Sequence, residues 1–572
     1  MSPHWMDPAS HEAQSVVAEL DGTAAPTMRL PTPEEEGRRS LSQSSTSSSS
    51  SLKKPIAVPR KVSDALEAKG FEVDNTGTVR WAPDSLTHPR RWSLVRKLYD
   101  TAVICFLEFF VTLISNTGSS VAPLAADELG LSREWSLFCF TTLYLLGQAI
   151  GGLIFSPIAE SFGGRTIYLS STLGYSLFCI AMVTCPILPV VVLGRFMTGL
   201  LSAIPAVVAA GSFENMWDIT TRTFVIHTWI AGAILGLCIG PPVATFVATS
   251  SLRWPWVFII AAIVAGVAAI FCFGMQESRP SQVIRQQVKA IERETSFDGL
   301  SLEGEDCLPT MSKFMRTSLW LPLRLFFTEP IVFLTSVMAA TVVAVVYLFS
   351  EAVGTVYVEG FGFTNRQASL TMLAIAVGVL FAFLPRIYDY QVIALRKRQG
   401  RPLEPEDKLF GFLVAAPILA GGLWWFAWTV PPMTSGVSAW VSIASLVLIG
   451  FSTQEFDNLL SGYLCDTYAT YAASANAPMA FLRAVLSGTF PLFGRQFFHK
   501  LGTNNALFIS AGVATLYCGI AIVFSLYGKR VRERSSIAEK MWRASLSNDK
   551  LGLSQGSMSS RTDVSCSSSL PC

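Results

Sequence analysis

The sequence predicts an all-α membrane protein whose twelve transmembrane helices are arranged in two six-helix halves. Of its 572 residues, 51% are hydrophobic and 15% are charged, whereas soluble domains carry about 25% charged residues. Twelve apolar segments approach the ~20 residues that a helix needs to cross a bilayer. A polar stretch at 276–328 separates the first six segments from the last six, which indicates two bundles joined by a loop.

The spans are predicted from the apolar runs. The first six are Leu98–Val121, Trp135–Pro157, Thr166–Cys185, Leu188–Gly211, Thr223–Val247 and Trp254–Met275. The second six are Pro330–Val358, Ala368–Tyr388, Leu409–Val430, Val437–Leu464, Ala475–Phe498 and Asn505–Tyr527. The predicted domains are disordered cytosolic tails at 1–96 and 529–572, six-helix halves at 97–275 and 329–528, and a cytosolic central loop at 276–328. The first tail contains the serine tract Ser42–Ser51, and a segment this polar buries no core.

Basic residues predict the orientation, because Lys and Arg concentrate in short cytosolic loops. On the side of the two termini lie Arg90, Arg91, Arg96, Lys97, Arg165, Arg222, Arg396, Lys397, Arg398, Lys529 and Arg530. The opposite loops offer little beyond Arg133, Arg253, Arg366 and Lys500. Both termini are therefore predicted to be cytosolic. The plasma membrane is the expected location, with the vacuolar membrane as the alternative.

The composition also sets aside several classes of function. A net charge of +2 gives no indication of nucleic-acid binding. Six of the eleven cysteines lie inside apolar runs, where they behave as small hydrophobic side chains. Since the cysteines and histidines do not show metal-ligand spacing, neither a metal nor a cofactor is expected. No nucleotide-binding motif is present, so energy from an ion gradient is expected. The protein is not expected to be an enzyme, and a monomer is expected.

The fourth span contains a charge that is costly in an apolar helix. The stretch Leu193–Trp217 places Arg195 near its start and Glu214 near its end. An arginine inside such a helix costs roughly 2.5–3.5 kcal/mol on insertion scales, so it marks a functional site. The alternative places Arg195 at the membrane interface, with its guanidinium among lipid phosphates.

Four acids also lie inside predicted spans: Glu108, Glu351, Glu455 and Asp457. Such side chains are expected to face a water-filled cavity or to pair with one another. On the tenth span, Gln454 and Asp457 share one helical face and Glu455 lies on the next, so this helix is predicted to line the cavity. One of the acids is expected to exchange a proton. The alternative is an interhelical hydrogen-bond network that holds the bundle together.

The loop after the second span, SPIAESFGGRTIYL, resembles the major facilitator signature G-x-x-x-(D/E)-x-x-G-R-(R/K). Glu160, Gly163 and Arg165 match it, whereas Ser156 and Gly164 depart from it. The resemblance implies the major facilitator fold. It also implies a cytosolic latch, in which an acid and a base at helix ends hold the halves together. The alternative is an ordinary turn with two glycines.

Two further segments resemble motifs of the same superfamily. Arg195 and Glu214 match its fourth-helix motif, whose arginine is linked to proton transfer. The fifth span, GAILGLCIGPPVATFVA, resembles the antiporter signature, with Gly236, Gly240 and Pro241 at matching positions. This signature is associated with exporters, because tight helix packing at these glycines lets the transporter alternate between its two states without a leak across the membrane.

The stretch Ser461–Phe493 narrows the resemblance to the fungal drug:proton antiporter group with twelve spans, which includes polyamine, multidrug and secondary-metabolite exporters. The resemblance covers roughly Trp81–Tyr527. Within it, Arg483 belongs to the LR pattern of the group. Arg483 is predicted to pair with Asp466 at the cytosolic end of the tenth span, as part of a gate.

The resemblance implies a secondary active transporter in the lipid bilayer. We expect a proton-coupled exporter of a small organic molecule, such as a secondary metabolite, a drug or a polyamine, that works by alternating access. One alternative is an importer or facilitator of a small metabolite. The other is a non-transporting membrane sensor, which the serine-rich tail supports.

Overall fold

The structure is a computed structural model that describes residues 58–74, 77–82, 85, 87–297, 300–302, 320, 322–399, 409–434, 436–468 and 472–534. These residues divide into two units. A small unit contains residues 58–91 and 280–302, and a membrane unit contains residues 92–279 and the residues described from 320 onward. The serine tract and the residues after 534 lie outside the described residues, so disorder there stays a prediction.

The elements before the central segment are three short ones and then six spans. The short elements are α1 (Arg60–Ala68), β1 (Phe71–Val73) and β2 (Thr78–Trp81). The helices that follow are α2 (Leu94–Leu129), α3 (Arg133–Leu137), α4 (Leu143–Phe162), α5 (Gly164–Thr184), α6 (Leu188–Met216), α7 (Ile219–Ala248) and α8 (Pro255–Phe273). A π-helical turn, Phe138–Thr142, joins α3 to α4 into one span.

The elements after the sixth span repeat this plan. The central segment contains α9 (Pro280–Thr295) and β3 (Ser301–Leu302). The helices that follow are α10 (Pro330–Val353), α11 (Asn365–Leu370), α12 (Met372–Phe381), α13 (Leu384–Arg398), α14 (Phe410–Thr429), α15 (Ala439–Tyr468), α16 (Ala472–Leu501) and α17 (Thr503–Arg534). A second π-helical turn, Gly354–Gly360, extends α10, and α11 to α13 together form one span.

Each of the twelve predicted spans coincides with helix in the structure. Within the described residues, eleven spans are long and apolar enough to cross a membrane. The remaining one, α16, has 30 residues but is less apolar, because it contains Arg483 and Arg495 together with polar residues such as Asn476, Gln496 and His499. Several helices are longer than their apolar runs: α2 begins at Leu94 and α17 continues to Arg534. A helix continues past the hydrocarbon where its polar ends reach the interface.

Glycines bring the helices of each half into close contact. Gly236 and Gly240 of α7 lie directly against the α2 backbone, where a Cβ would overlap the carbonyl oxygens of Phe109 and Leu113. The fourth and second spans meet in the same way, since a Cβ on Gly199 would overlap the Tyr144 backbone. Small residues at such positions let membrane helices pack through their backbones.

Glycines also allow close helix packing in the second half, at corresponding positions. Gly378 of α12 lies against the backbone of Val447, and Gly450 of α15 lies against that of Ile375. The eighth and tenth spans therefore pack in the second half as the second and fourth do in the first. This repetition is expected of a transporter built from two related halves.

The small unit differs from the prediction of a disordered tail up to residue 96 and a loop at 276–328. Its sheet has the order β1-β2-β3, with Phe71 opposite Trp81 in the antiparallel pair and Thr78 opposite Ser301 in the parallel pair. Its core consists of Val62, Leu66, Phe71, Val79, Ile284, Val288 and Ile291. Each segment alone has too few apolar residues for a core, so the fold depends on pairing two segments that are distant in sequence.

This shared core gives the first testable prediction. Leu66 and Ile291 are both 0% exposed, so Leu66→Ala or Ile291→Ala should lower the free energy of unfolding of the small unit by about 2–4 kcal/mol. Limited proteolysis of the full-length protein should then cut faster within 58–91 in both variants. Glu67→Ala, at an exposed position of α1, is the control. Unchanged cleavage of 58–91 in Ile291→Ala would contradict the shared core.

Candidate functional site

Two buried carboxyl groups and one partly exposed arginine lie close together where the first half contacts the second. Arg483 of α16 donates from Nη1 to both carboxylate oxygens of Asp457 on α15, each at 2.8 Å. Glu108 of α2 lies within electrostatic range of both groups. Glu108 is 3% exposed and Asp457 is 4% exposed. The cluster thus contains two carboxyl groups and one guanidinium, and Oε2 of Glu108 has no hydrogen-bond partner among the described residues.

A direct hydrogen bond between the halves lies beside this cluster. The hydroxyls of Ser115 on α2 and Tyr347 on α10 are 2.8 Å apart. Both side chains are buried, and Tyr347 lies within electrostatic range of Arg483 and Glu108. The first helix of each half therefore contributes to one polar site, which we call the central cluster: Glu108, Ser115, Tyr347, Asp457 and Arg483.

Arg195 is fully buried in the first half. Its Nε donates to the carbonyl oxygen of Phe140 at 2.8 Å, and its Nη2 donates to the same oxygen. The guanidinium carbon lies 4.5 Å from the centre of the Tyr144 ring and 5.5 Å from that of Phe258. The guanidinium is therefore enclosed by protein groups, and the structure does not support the alternative that places it among lipid phosphates.

The acceptor for Arg195 comes from the π-helical turn of the second span, where the helical hydrogen-bond ladder changes register. Among the described residues, no acid forms an ion pair with Arg195, and its Nη1 has no hydrogen-bond partner. Its charge is held by one carbonyl oxygen and two aromatic faces. The hydroxyl of Tyr144 donates in turn to the carbonyl oxygen of Val111 on α2, at 2.9 Å.

The polar residues of α15 contact three different helices. Nε2 of Gln454 donates to the carbonyl oxygen of His227 on α7 at 3.2 Å, which links the halves. Glu455 accepts from Arg386 of α13, and Arg386 also pairs with Asp389 of the same helix. Asp457 pairs with α16, as described above. Gln454 and Asp457 thus reach different partners, and Glu455 is bound within the second half rather than to the central cluster.

Glu351 binds a different arginine from the one in the central cluster, although it lies one helical turn after Tyr347 on α10. Its Oε2 is 3.6 Å from Nη2 of Arg133, which begins the second span, and its side chain is 3% exposed. This pair lies at the end of the membrane unit opposite the first residues of α2. The prediction that Glu351 belongs to a proton cavity has no direct support from these contacts.

The turn predicted as a latch is bound to its own half. Gly163 has φ +88°, and a Cβ there would collide with the carboxylate of Glu277. The backbone N–H groups of Gly164 and Arg165 donate to that carboxylate at 3.2 and 3.1 Å. Arg165 also donates from Nη2 to the carbonyl oxygen of Phe273 at 3.0 Å. The side chain of Glu160 lies outside the described residues, so a Glu160–Arg165 latch stays a prediction.

The other predicted gating residues contact neighbouring helices. Glu214 pairs with Arg222 at 3.2 Å across the turn between α6 and α7. The carbonyl oxygen of Pro241 accepts from Ser120 of α2 at 3.4 Å. The predicted pairing of Arg483 with Asp466 is wrong, because Arg483 bonds to Asp457. Helical spacing brings Asp457 level with Arg483, whereas Asp466 lies more than two turns further along α15.

Sequence reasoning missed three residues of these networks. Arg386 falls inside the predicted eighth span, and a charge within an apolar span was sufficient to mark it as a candidate site residue. His227 is a lone histidine in an apolar span, and nothing in the sequence shows that Gln454 reaches it. Glu277 lies at the start of the polar stretch 276–328, and its role requires the fold that carries it to the start of α5.

Two halves with buried charges at their contact form the architecture of a secondary transporter. The model of the Major Facilitator Superfamily matches residues 104–491. The chain belongs to this family and is a multi-pass membrane protein, which confirms the predicted fold class and family.

Several proteins resemble the chain over most of its length. It is 26% identical to the multidrug transporter TPO1_1 of Candida glabrata, over 85% of this chain and 84% of that protein. It is 27% identical to the efflux pump radE of Floropilus chiversii, over 83% and 88%. It is also 27% identical to the citrinin biosynthesis cluster MFS transporter mrr1 of Monascus ruber, over 81% and 92%.

A solved structure supports the same fold. The proton:xylose symporter XylE bound to 6-bromo-6-deoxy-D-glucose aligns with a TM-score of 0.55 at 15% identity. The alignment covers 77% of this chain and 97% of that one. At this identity the likeness concerns the fold.

The Glu277 contacts generate a second prediction. Glu277→Gln removes the negative charge at the start of α5, so the free energy of unfolding should fall by about 1–2 kcal/mol. Thermal unfolding of the purified protein measures the change. Glu294→Gln, on the small unit, is the control and should leave the melting temperature of the membrane unit unchanged. Equal melting of Glu277→Gln and wild type would show that this carboxylate does not stabilise the turn.

Proposed function

We propose that the protein is a proton-coupled exporter that moves a small organic molecule out of a fungal cell by alternating access. We further propose that it works as a monomer in the plasma membrane, with both termini in the cytosol and no role for nucleic acid. The family supports secondary transport. The relatives named as a multidrug transporter, an efflux pump and a transporter of a biosynthesis cluster support export of a metabolite or a drug.

The central cluster is the observation on which this proposal rests. Its two carboxyl groups face one guanidinium, so one negative charge has no counter-ion within the cluster. A buried charge of this kind is costly unless a proton or a cation neutralises it. Because Glu108 belongs to the first half while Asp457 and Arg483 belong to the second, the rocking of the halves changes their separation. Proton affinity and conformation are then coupled, as exchange requires.

Arg195 has a supporting role in this proposal. Its charge stays buried with no ion-paired acid among the described residues, and Tyr144 and Tyr347, the second a member of the central cluster, both lie within electrostatic range of it. A fixed positive charge nearby favours the deprotonated form of an acid. Arg195 therefore promotes release of the proton after it has reached the cluster, in line with the role that the fourth-helix motif implies.

The third prediction separates the two acids of α15. Proteoliposomes with an acidic interior and a clamped membrane potential should accumulate spermidine or ethidium, the probes chosen for a cationic substrate. Asp457→Asn mimics the protonated acid, so exchange should continue while the accumulation ratio falls to about one, as without proton coupling. Glu455→Gln is the matched control. It should keep accumulation and lower the free energy of unfolding by about 1–3 kcal/mol, because Arg386 loses one partner.

Each other outcome of this comparison has a definite meaning. Weaker binding of cationic probes in Asp457→Asn, with neutral probes unaffected, would identify Asp457 as a substrate ligand. Wild-type accumulation in both variants would remove α15 from the coupling mechanism. Accumulation of the probe with an acidic exterior, and not with an acidic interior, would indicate a proton symporter and therefore an importer rather than an exporter.

The fourth prediction concerns Arg195. Arg195→Ala should reach the membrane folded but lose transport driven by a pH gradient, because the fixed charge is gone. Arg195→Lys keeps the charge and loses the forked contact with Phe140, so about a tenth of the wild-type rate or more should remain. Flux in proteoliposomes, normalised to folded protein, measures both. Full coupled transport in Arg195→Ala would rule out the proposed role.

A further inference from the structure

Two arginines link the halves at the end of the membrane unit opposite the first residues of α2. Arg133 of α3, in the first half, lies 3.6 Å from Glu351 of α10, in the second. Arg366 of α11, in the second half, donates to Thr249 at the end of α7, in the first. Its Nε reaches Oγ1 and its Nη2 reaches the carbonyl oxygen, each at 2.9 Å.

Other ion pairs at this end do not connect the halves. Glu128 and Arg253 pair at 3.0 Å within the first half, and both are exposed. Glu359 lies 3.7 Å from His499 within the second half, and both are about half exposed. Of the ion pairs that the described residues form at this end, Arg133–Glu351 is thus the one that crosses between the halves.

The surroundings of Glu351 make its charge depend on Arg133. Its side chain is 3% exposed, whereas that of Arg133 is 38% exposed. Gly494 of α16 packs against it, since a Cβ on Gly494 would lie 3.5 Å from that of Glu351. The charged groups that act on Glu351 are Arg133 from α3 and Arg495 from α16, both basic. Moving Arg133 away leaves a buried carboxylate with one less counter-charge.

The two arginine contacts respond differently to protons. Arg366 binds a hydroxyl and a carbonyl oxygen, which stay neutral at physiological pH. The Arg133–Glu351 contact requires an ionised carboxylate, and a proton on Glu351 removes its Coulomb attraction. Separating Arg133 from an ionised, buried Glu351 costs free energy, because it leaves the carboxylate charge without its partner. Separating Arg133 from a protonated, neutral Glu351 does not carry this cost. A proton therefore weakens one of the two links and leaves the other.

We infer that Arg133 and Glu351 form an outer gate that opens when Glu351 takes up a proton from outside the cell. The contact between Arg366 and Thr249 helps to hold the same end of the two halves together, and it does not depend on protonation. The inference rests on the proposed orientation, which places this end outside. It assigns Glu351 to gating rather than to the central cluster. Outward opening is then favoured by a proton at the outer face.

The test measures the gate itself and needs no substrate. Spin labels at Leu252→Cys and Met433→Cys, both exposed and on opposite halves, report the outer separation of the full-length protein in nanodiscs. Cys185, which is exposed among the described residues, and Cys307, Cys566 and Cys572, which lie outside them, are replaced by serine. On acidification from about pH 7.5 to about pH 5.5, which protonates a carboxyl in reach of water, the long-distance population should rise in wild type. In Glu351→Gln it should be high at both pH values, about fivefold above wild type at the higher pH.

A charge swap keeps the test informative even if one variant is unstable. Arg133→Glu combined with Glu351→Arg should restore the short distance at the higher pH, while either change alone should not. Glu359→Gln, an acid at the same end with a partner in its own half, is the matched control and should behave as wild type. Wild-type pH dependence in Glu351→Gln, or a swap that fails to restore the short distance in folded protein, would overturn the gate. Because the readout is a distance, a protein that gates normally but does not export would contradict the proposed function alone.

Discussion

Charged side chains inside the membrane unit have no water to hydrate them, and the rest of this structure depends on that constraint. In water a carboxylate or guanidinium is hydrated, whereas in an apolar bundle it must find its partner on another helix. Arg483 therefore fixes α16 against α15 through Asp457, and Arg386 fixes α13 against α15 through Glu455. Arg195 has no acid within the described residues and instead holds the π-helical turn of the second span. Each buried charge therefore holds one helix against another. Where the charge is a carboxylate, a proton that neutralises it changes that contact.

Close helix packing makes these contacts sensitive to small movements. The glycines that place α7 on α2 and α12 on α15 bring backbones together without intervening side chains. Each half is therefore stiff, and a displacement that begins at one buried charge is shared by the whole half rather than absorbed locally. Polar links between halves, such as Ser115–Tyr347 and Gln454–His227, are the contacts that such a displacement makes or breaks.

The sequence predicted the spans, the two halves and the family, because hydropathy and local motifs decide them. It also singled out Arg195, Glu108 and Asp457, since a charge in an apolar run is visible without a structure. It did not predict partners. Asp457 rather than Asp466 binds Arg483, and Glu351 binds Arg133, because pairing depends on helix rotation and tilt, which no linear pattern encodes. The small unit was missed for a related reason: the apolar faces of α1 and α9 are short, and they gain a core only from each other.

The tenth span connects these networks. Residues 454, 455 and 457 point to α7, α13 and α16 because successive positions on a helix are about 100° apart. A small rotation of α15 therefore changes three contacts together: one across the halves, one inside the second half and one in the central cluster. On the proposal that Asp457 takes up the proton, neutralising it would free α15 from Arg483, while Glu455 would still hold α15 to α13 and so limit the rotation. The free energy of proton binding would then act on the contact between Gln454 and His227, where the halves meet, and a proton at one site would be coupled to the separation of the halves at another.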